Sequence, residues 1–227
     1  LSPDLDDSDI AVSEIRGTQA QGQARLQAIQ PAAYVQNRNH LDGDVTGLSP
    51  YIRHGMISLT DVRNRALDIA PDAKLEKFLQ QLAWRDYWQR LYRQHPDWIW
   101  TDVEPYKTGF SADDYADTLP DDIAEARTGV AAIDHFLREL IQTGWLHNHA
   151  RLYVAGYICH WRRVKWQAGA QFFLTHLLDG DPASNNLSWQ WVASTFSHKP
   201  HYFNLENVAR FSGPNLNCNP SDNQALA

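Results

Sequence analysis

Two polar stretches of the sequence decide how this chain is interpreted. One is LDGDPASNNLSWQW at residues 178–191, and the other is WLHNHAR at residues 145–151. Both place carboxylates, carboxamides or an arginine beside tryptophans. Such a density of polar side chains is not what the packing of a hydrophobic core produces. We therefore interpret the two stretches as parts of one binding site.

The apolar residues around these stretches recur at three- and four-residue spacing, which is the period of a helix. Four helices are predicted from the sets Leu75, Phe78, Leu79, Leu82, Trp84, Trp88 and Leu91; Ile133, Phe136, Leu137, Leu140 and Ile141; Leu152, Val154, Tyr157, Ile158, Trp161 and Val164; and Phe172, Phe173, Leu177 and Leu178. The first is expected to be long and amphipathic. Ser58 is predicted to cap a further helix, and Gly144 to end one in the left-handed conformation. No run alternates apolar and polar residues between hairpin turns, so the predicted fold class is all-α.

The composition restricts the class of protein. The chain has 227 residues and a formal net charge of −7, which excludes a protein that coats nucleic acid through a uniformly basic surface. A local basic patch is compatible with this net charge. Two cysteines cannot make a disulfide framework, which indicates a reducing compartment, and we expect a cytoplasmic protein. No apolar run approaches the roughly 20 residues of a membrane span.

The two stretches resemble the flavin-binding core of the photolyase/cryptochrome family. The sequence motif of that family is close to Trp-x-His-Asn-x-x-Arg followed by Asp-Gly-Asp-x-Ala-x-Asn-Asn-x-x-Trp-Gln-Trp. The resemblance covers residues 24–212 and implies a helical domain that binds FAD. We expect a polar segment before it at 1–23 and a loose tail after it at 213–227. The segment before Tyr34 is too short for the α/β antenna domain of the family, so no antenna chromophore is expected.

A phosphate loop of the FAD site is implied by the same resemblance. Its five residues are Val45, Thr46, Gly47, Leu48 and Ser49. Glycine allows the backbone to approach a phosphate, and the hydroxyls of Thr46 and Ser49 can donate to its oxygens. Tyr34 lies where the family has a phosphate-contacting tyrosine. Taken alone, the loop is also consistent with a simple helix cap.

The resemblance places further side chains against the flavin. Arg151 and Asp179 correspond to an ion pair at the isoalloxazine ring, where an arginine fork can grip a carboxylate. Asp181 and Arg85 are expected to contact the cofactor, and Asn185 to accept a hydrogen bond from its central nitrogen N5 without itself titrating. The resemblance also places Gln81 and Asn148 in the cofactor site.

The substrate cavity implied by the family is lined by five residues. They are Gln81, Trp84, Asn148, Leu152 and Trp191. Members that repair cyclobutane dimers carry Glu at the position of Gln81, and a neutral amide cannot stabilise a polarised base as a carboxylate would. Weaker repair is therefore expected. Members that repair the 6-4 photoproduct carry a His pair at the positions of Asn148 and Leu152, so that activity is not expected.

Electron transfer to the flavin is implied for Trp189 and then Trp166. The third tryptophan of the family has no counterpart at the aligned place, and Tyr115, Trp98 and Trp100 are left as candidates. For Trp166 a purely structural role in the core is an equal alternative.

Two metal sites are alternatives to the flavin interpretation. Residues 179–181 begin like a calcium loop, but Ala183 and Ser184 occupy positions where that loop needs a ligand and a glycine. The set of His147, His149, Cys159 and His160 lacks zinc spacing. We therefore predict no metal.

The function expected from the resemblance is blue-light-driven, FAD-dependent repair of pyrimidine dimers. The acidic chain favours single-stranded or distorted DNA as the partner, because such DNA spares the cost of unstacking. The alternative is a cryptochrome-like photoreceptor or redox sensor that has lost repair.

Overall fold

The computed structural model describes residues 15–70 and 75–227. Within these ranges the chain forms helices and a single isolated bridge between Ala116 and Val164, which confirms the all-α prediction. The α-helices are α1 (Gln19–Gln27), α2 (Pro31–Asn37), α3 (Ser49–Arg53), α4 (Leu59–Ile69), α5 (Glu76–Gln94), α6 (Asp121–Ala124), α7 (Ala131–Thr143), α8 (Asn148–Gly156), α9 (Trp166–His176), α10 (Pro182–Ala193) and α11 (Leu205–Phe211). A π-helical turn at Tyr157–Trp161 continues α8. In the described ranges, no helix is both long enough and apolar enough to cross a bilayer.

Helix ends lie where the sequence predicts them. The Ser58 hydroxyl accepts from the Asp61 backbone N–H at 3.0 Å, and the Asp61 carboxylate accepts from the Ser58 N–H at 2.9 Å, which is the reciprocal capping box at the start of α4. Gly144 follows α7 with a φ of 68°, a conformation that glycine adopts without steric cost. Both predictions are confirmed.

Two separate hydrophobic clusters form the interior. The smaller one joins α1, α3, α4 and the start of α5 through Leu26, Ile29, Leu48, Tyr51, Ile57, Val62, Ala66, Leu75 and Phe78. The larger one is built mainly by α7, α8, α9 and α10, with Phe136, Tyr153, Trp166 and Trp189 among its buried rings. Polar contacts hold the two clusters together beside α3. Arg53 Nε donates to the Gly180 carbonyl at 2.8 Å, and a ring nitrogen of His54 lies 3.0 Å from the Leu178 carbonyl.

Helix α5 differs from the amphipathic helix that its spacing predicts. Phe78 is its only buried residue, although the helix carries leucines, tryptophans and tyrosines over 19 residues. Helix α5 packs against α2, α4 and α10; Phe78 near its start contacts the Tyr34 ring of α2, and Gln89 near its end donates to Asp181 at the start of α10, so the helix bridges the two clusters. Its apolar residues therefore contact different neighbours along its length instead of facing one continuous core.

The C-terminal segment is not the loose tail expected for residues 213–227. The Asn223 side chain is fully buried, and its oxygen accepts from the Ala132 N–H at 2.8 Å at the start of α7. Trp161 Nε1 donates to the Ala225 carbonyl at 2.8 Å. These partners are more than 60 residues away in sequence, so local composition gave no sign of the docking. At the other end, α1 begins at Gln19, inside the polar segment expected at 1–23, whereas residues 1–14 lie outside the described residues.

Candidate functional site

The Asp179 carboxylate is the centre of the site. One of its oxygens, Oδ2, accepts from the Ser49 hydroxyl at 2.5 Å and from Arg151 Nη2 at 2.9 Å. Arg151 is held in place by a second bond, from Nε to the Leu146 carbonyl at 2.8 Å. Three elements therefore meet at this carboxylate: the first residue of α3, the first turn of α8 and the loop before α10.

Electrostatics keep this carboxylate ionised. Burial alone raises the pKa of the Asp179 carboxyl, but the charge and hydrogen bond of Arg151, the hydrogen bond of Ser49 and the charge of Arg85 together lower this pKa below its ordinary value. The predicted pairing of Arg151 with Asp179 is present in the structure. The resemblance predicts that the Ser49 hydroxyl donates to a phosphate. In the structure this hydroxyl donates to Asp179 instead, so it is not free to donate to a phosphate.

Asp181 connects α10 to α5. Its Oδ1 accepts from the Ser184 N–H at 2.7 Å, which caps the start of α10. Gln89 Nε2 donates to both carboxylate oxygens, at 2.9 and 2.8 Å, and Arg85 Nη2 lies 3.9 Å from Oδ2. Sequence reasoning found Arg85 but missed Gln89. The signal was available, because residues four apart share one face of a helix.

Asn185 lies in the first turn of α10 with its amide orientation fixed. The side-chain NH₂ donates to the Ala170 carbonyl at 3.0 Å and to the Asn186 side-chain oxygen at 2.9 Å. Asn186 is itself held by its bond to the Ile99 carbonyl at 2.6 Å. Both N–H groups of Asn185 are therefore used, and its carbonyl oxygen remains available to accept a hydrogen bond from a ligand.

The predicted phosphate loop lines a pocket together with a cation that sequence reasoning missed. Arg25, Tyr34, Val45 and Thr46 are among its walls. Gly47 has a φ of 60°, and a Cβ at this position would lie 2.9 Å from Arg25 Nη1, so glycine gives the guanidinium its space. The Thr46 hydroxyl accepts from the Leu48 N–H at 3.3 Å, which stabilises the turn.

A second pocket adjoins the first and shares Tyr34 and Thr46 with it. Leu48, Gln81 and Leu82 are also among its walls. Gln81 is thus on the same side as the phosphate loop. Burial raises the pKa of the Tyr34 hydroxyl, so this residue stays a neutral donor at physiological pH.

The other predicted substrate residues lie at or near the surface. Trp84 is 46% exposed, and Trp191 is similarly exposed. Asn148 is exposed at the start of α8, and Leu152 is half-buried one turn later. Exposed tryptophans offer faces on which a planar ligand can stack.

The two predicted electron-transfer tryptophans are buried in the larger cluster. Trp189 packs so closely on α9 that a Cβ at Gly169 would lie 2.3 Å from its ring. Trp166 is one turn before Gly169 and donates from Nε1 to Asp102 Oδ1 at 2.6 Å. The role of the pair in electron transfer stays a prediction.

The three candidates for a third donor occupy different surroundings. Tyr115 is buried and stacks on Tyr106, with ring centroids 4.3 Å apart. Trp100 is exposed, and Trp98 stacks on His95 at 3.9 Å. The choice among them stays open.

Unsatisfied polar atoms test whether FAD suits this site. In the part of the chain that the structure describes, Arg25 Nε, Asp179 Oδ1 and Ser184 Oγ are buried without a hydrogen-bond partner. Such an atom costs about 1–3 kcal/mol unless a ligand or water satisfies it. A flavin nucleotide offers phosphates for a cation, and hydroxyl and N–H groups for acceptors. The donor and acceptor set therefore fits FAD.

Comparison with known proteins agrees with this geometry. The sequence model of the FAD binding domain of DNA photolyase matches residues 78–216. The deoxyribodipyrimidine photo-lyase of Streptomyces griseus is 36% identical over 165 residues, which are 72% of this chain and 35% of that protein. The enzyme of the same name from Escherichia coli is 31% identical over 140 residues, 57% of this chain and 28% of its own. The chain thus spans about a third of the length of the curated relatives it matches.

Solved structures show the same fold. The archaeal photolyase from Sulfolobus tokodaii, a structure with two FAD molecules, aligns with a TM-score of 0.73 and 26% identity over 89% of this chain and 46% of its own. The Synechocystis cryptochrome aligns with a TM-score of 0.79 over 99% of this chain and 48% of its own, and at 20% identity it supports the fold alone. Together with the site geometry, these matches show that the chain belongs to the family of FAD binding domains of DNA photolyases and that FAD is its cofactor.

Proposed function

We propose that this protein repairs pyrimidine dimers in DNA in a blue-light-driven, FAD-dependent reaction, as an enzyme of the deoxyribodipyrimidine photo-lyase class. The observation that carries the proposal is the convergence of Ser49 and Arg151 on Oδ2 of the Asp179 carboxylate, whose other oxygen, Oδ1, is buried without a partner. The relatives from Streptomyces griseus and Escherichia coli that match this chain bear that enzyme's name.

Each residue has a defined part in the proposal. Arg151 and Asp179 keep the charge of the site balanced, and Asn185 presents a carbonyl oxygen whose orientation is fixed by its two donated bonds. The chemistry that bound, reduced FAD supplies is light-driven electron donation to the dimer. Trp189 and Trp166 carry electrons towards the site, and the Asp102 carboxylate stabilises positive charge on the Trp166 ring through its 2.6 Å hydrogen bond.

The preferred DNA in this proposal is single-stranded or already distorted. A chain with a net charge of −7 gains little from contacts with many phosphates, so its affinity must come largely from stacking. Trp84 and Trp191 offer exposed ring faces for that purpose. A flipped or unpaired base also costs less to bring to them than a base held in an intact duplex.

The test combines a repair assay with a binding assay. The protein is loaded with FAD, reduced, mixed with dimer-containing oligothymidine and illuminated with blue light, and the remaining dimer is measured by chromatography. We expect light-dependent loss of dimer, slow because Gln81 is neutral. Trp84→Ala should weaken binding of the dimer strand at least about fivefold, the lower end for loss of one stacked base. Phe110→Ala is the matched control, since Phe110 is 40% exposed but contacts Arg163. No light-dependent loss of dimer would contradict the proposal.

A second function, a photoreceptor or redox sensor without repair, is favoured by one observation. Gln81 lines the pocket that it shares with Tyr34 and Thr46, and its side chain brings no charge there. A carboxylate at this position would be available to stabilise a polarised base. Light-driven FAD reduction without measurable affinity for dimer-containing DNA would select this function over repair.

A further inference from the structure

A row of aromatic rings continues from Trp84 along α5 and onto its neighbours. Trp84 stacks on Trp88 at 5.4 Å, Trp88 lies 5.9 Å from Phe196, and Phe196 lies 5.7 Å from Trp98, measured between ring centroids. Trp98 stacks on His95 at 3.9 Å with the rings almost parallel. Tyr87 flanks the row, 5.2 Å from Trp88. We refer to Tyr87, Trp88, Phe196, Trp98 and His95 as the aromatic row.

Packing alone does not account for this row. None of its five rings is buried, and Tyr87 is 42% exposed. Phe78 is the only residue that α5 buries, and it lies at the opposite end of the helix. Trp88, Phe196, Trp98 and His95 are half-buried, so the exposed part of this surface is Tyr87 together with the adjoining Trp84. An exposed pair of large aromatic side chains often marks an interaction surface, and the ring faces of Tyr87 and Trp84 suit a partner that presents flat apolar faces.

The charges around the row fit an anionic partner. The Ser197 hydroxyl lies 2.8 Å from the Trp191 carbonyl and 2.7 Å from the Lys199 carbonyl, and by donating to either of them it holds the loop after α10. This loop carries Phe196 into the row and, three residues later, the exposed Lys199, and Arg93 is exposed in the last turn of α5. Among the described residues, neither Lys199 nor Arg93 takes part in an ion pair.

Acidic side chains limit how strong that electrostatic attraction can be. Asp97 is exposed at the same end of α5. Asp86 is paired with Arg90 at 2.7 Å, so these two charges offset each other. The positive excess at the row is therefore small. Affinity at this surface must come mainly from ring faces, with only a few phosphates neutralised.

We propose that the aromatic row binds the unpaired nucleotides that flank the dimer in single-stranded DNA. This inference rests on the proposed function, because it assigns a path to the strand that leaves the cavity at Trp84. Successive bases of a single strand have free π-faces, and sequence-tolerant stacking on aromatic side chains with a few cations at the rim is how such strands are bound. In a duplex those faces are already stacked, so the row discriminates in favour of unpaired DNA.

The experiment measures binding of an undamaged, end-labelled oligothymidine to the FAD-loaded protein by fluorescence anisotropy, in the dark. Tyr87→Ala should weaken binding about fivefold or more, which corresponds to the loss of one stacked base. Tyr87→Phe should restore affinity, because it keeps the ring. Phe110→Ala is the matched control and should leave affinity unchanged. In Lys199→Gln, the slope of log affinity against log salt should become shallower by about 0.7, the value for one phosphate contact to a single strand.

The outcomes separate this inference from the proposed function. Equal affinities for Tyr87→Ala and Phe110→Ala would overturn the inference even if dimer repair is observed. A change in oligomeric state of Tyr87→Ala with unchanged DNA affinity would also overturn it, because the row would then be a contact between copies of the chain. Loss of oligothymidine binding in Tyr87→Ala, in a protein that repairs no dimer, would support the aromatic row and reject the repair function.

Discussion

Replacing Asp179 with Asn removes one negative charge from the centre of the site and keeps its shape. The Asp179 side chain is 4% exposed, and its Oδ2 accepts from both Ser49 and Arg151. The carboxamide oxygen of Asn can accept the same two hydrogen bonds, but these bonds are weaker because the acceptor no longer carries a negative charge. The Arg151 guanidinium then faces a neutral group in a poorly solvated place.

The expected loss of stability follows from this geometry. Breaking a buried ion pair by removing one partner costs about 3–5 kcal/mol, because the remaining charge is left uncompensated. Arg151 is 23% exposed and keeps its bond to the Leu146 carbonyl, so we expect the lower end of that range, about 3 kcal/mol. For a chain of this size, that loss lowers the melting temperature by about 6–12 °C.

The assay compares urea unfolding of the wild-type protein and Asp179→Asn at the same FAD occupancy. Asp86→Asn is the matched control, because it removes the same charge from an exposed pair with Arg90 on α5. Such an i,i+4 pair contributes at most about 0.5 kcal/mol. Equal unfolding midpoints for the two variants would refute the central role of Asp179.

The pH dependence of the Asp179→Asn effect has a defined sign. Because folding lowers the pKa of Asp179, its contribution is fully present above the unfolded pKa of 3.8 and is lost as the pH falls through the folded pKa. The difference in stability between the wild type and Asp179→Asn should therefore be constant near neutrality and shrink in acid. A difference that grows below pH 4 would contradict this reasoning.

Three further changes test other parts of the structure. Gly169→Ala should cost about 1–3 kcal/mol and alter tryptophan fluorescence, because the new methyl group would lie 2.3 Å from the Trp189 ring; unchanged fluorescence and thermal stability would argue against this packing. Ser58→Ala should cost about 1 kcal/mol in urea unfolding through loss of the capping box with Asp61, whereas Ser58→Asp should retain most of that stability. Burial raises the pKa of Glu139 from 4.5 to about 7, so this group binds more protons in the folded state than in the unfolded one, and its own contribution to stability falls as the pH rises from 5 to 8. Relative to the wild type, Glu139→Gln should therefore gain stability as the pH rises through that range, and a difference between the two proteins that does not change with pH would contradict this assignment.

Local sequence patterns are enough to predict the all-α fold class, the Ser58 and Gly144 helix ends and the two polar stretches of the site. These features are local. Helical periodicity reports which residues share a face, and the capping box at Ser58 and the left-handed Gly144 depend only on neighbours within a few positions. The pairing of Arg151 with Asp179 was also predicted. That prediction came from the resemblance to the family's sequence motif and not from the spacing of the two residues along the chain.

The partners that complete the site come from segments far apart in the sequence. Ser49 and Asp179 are 130 positions apart, and Gln89 and Asp181 are 92 apart, so no local pattern links them. Their contacts depend on how α3 and α5 pack against the loop before α10. The same reason explains why Arg25 was missed, since its place beside the phosphate loop depends on the packing of the smaller cluster. Periodicity shows that a residue is buried or exposed, but the packing of whole helices determines what it contacts.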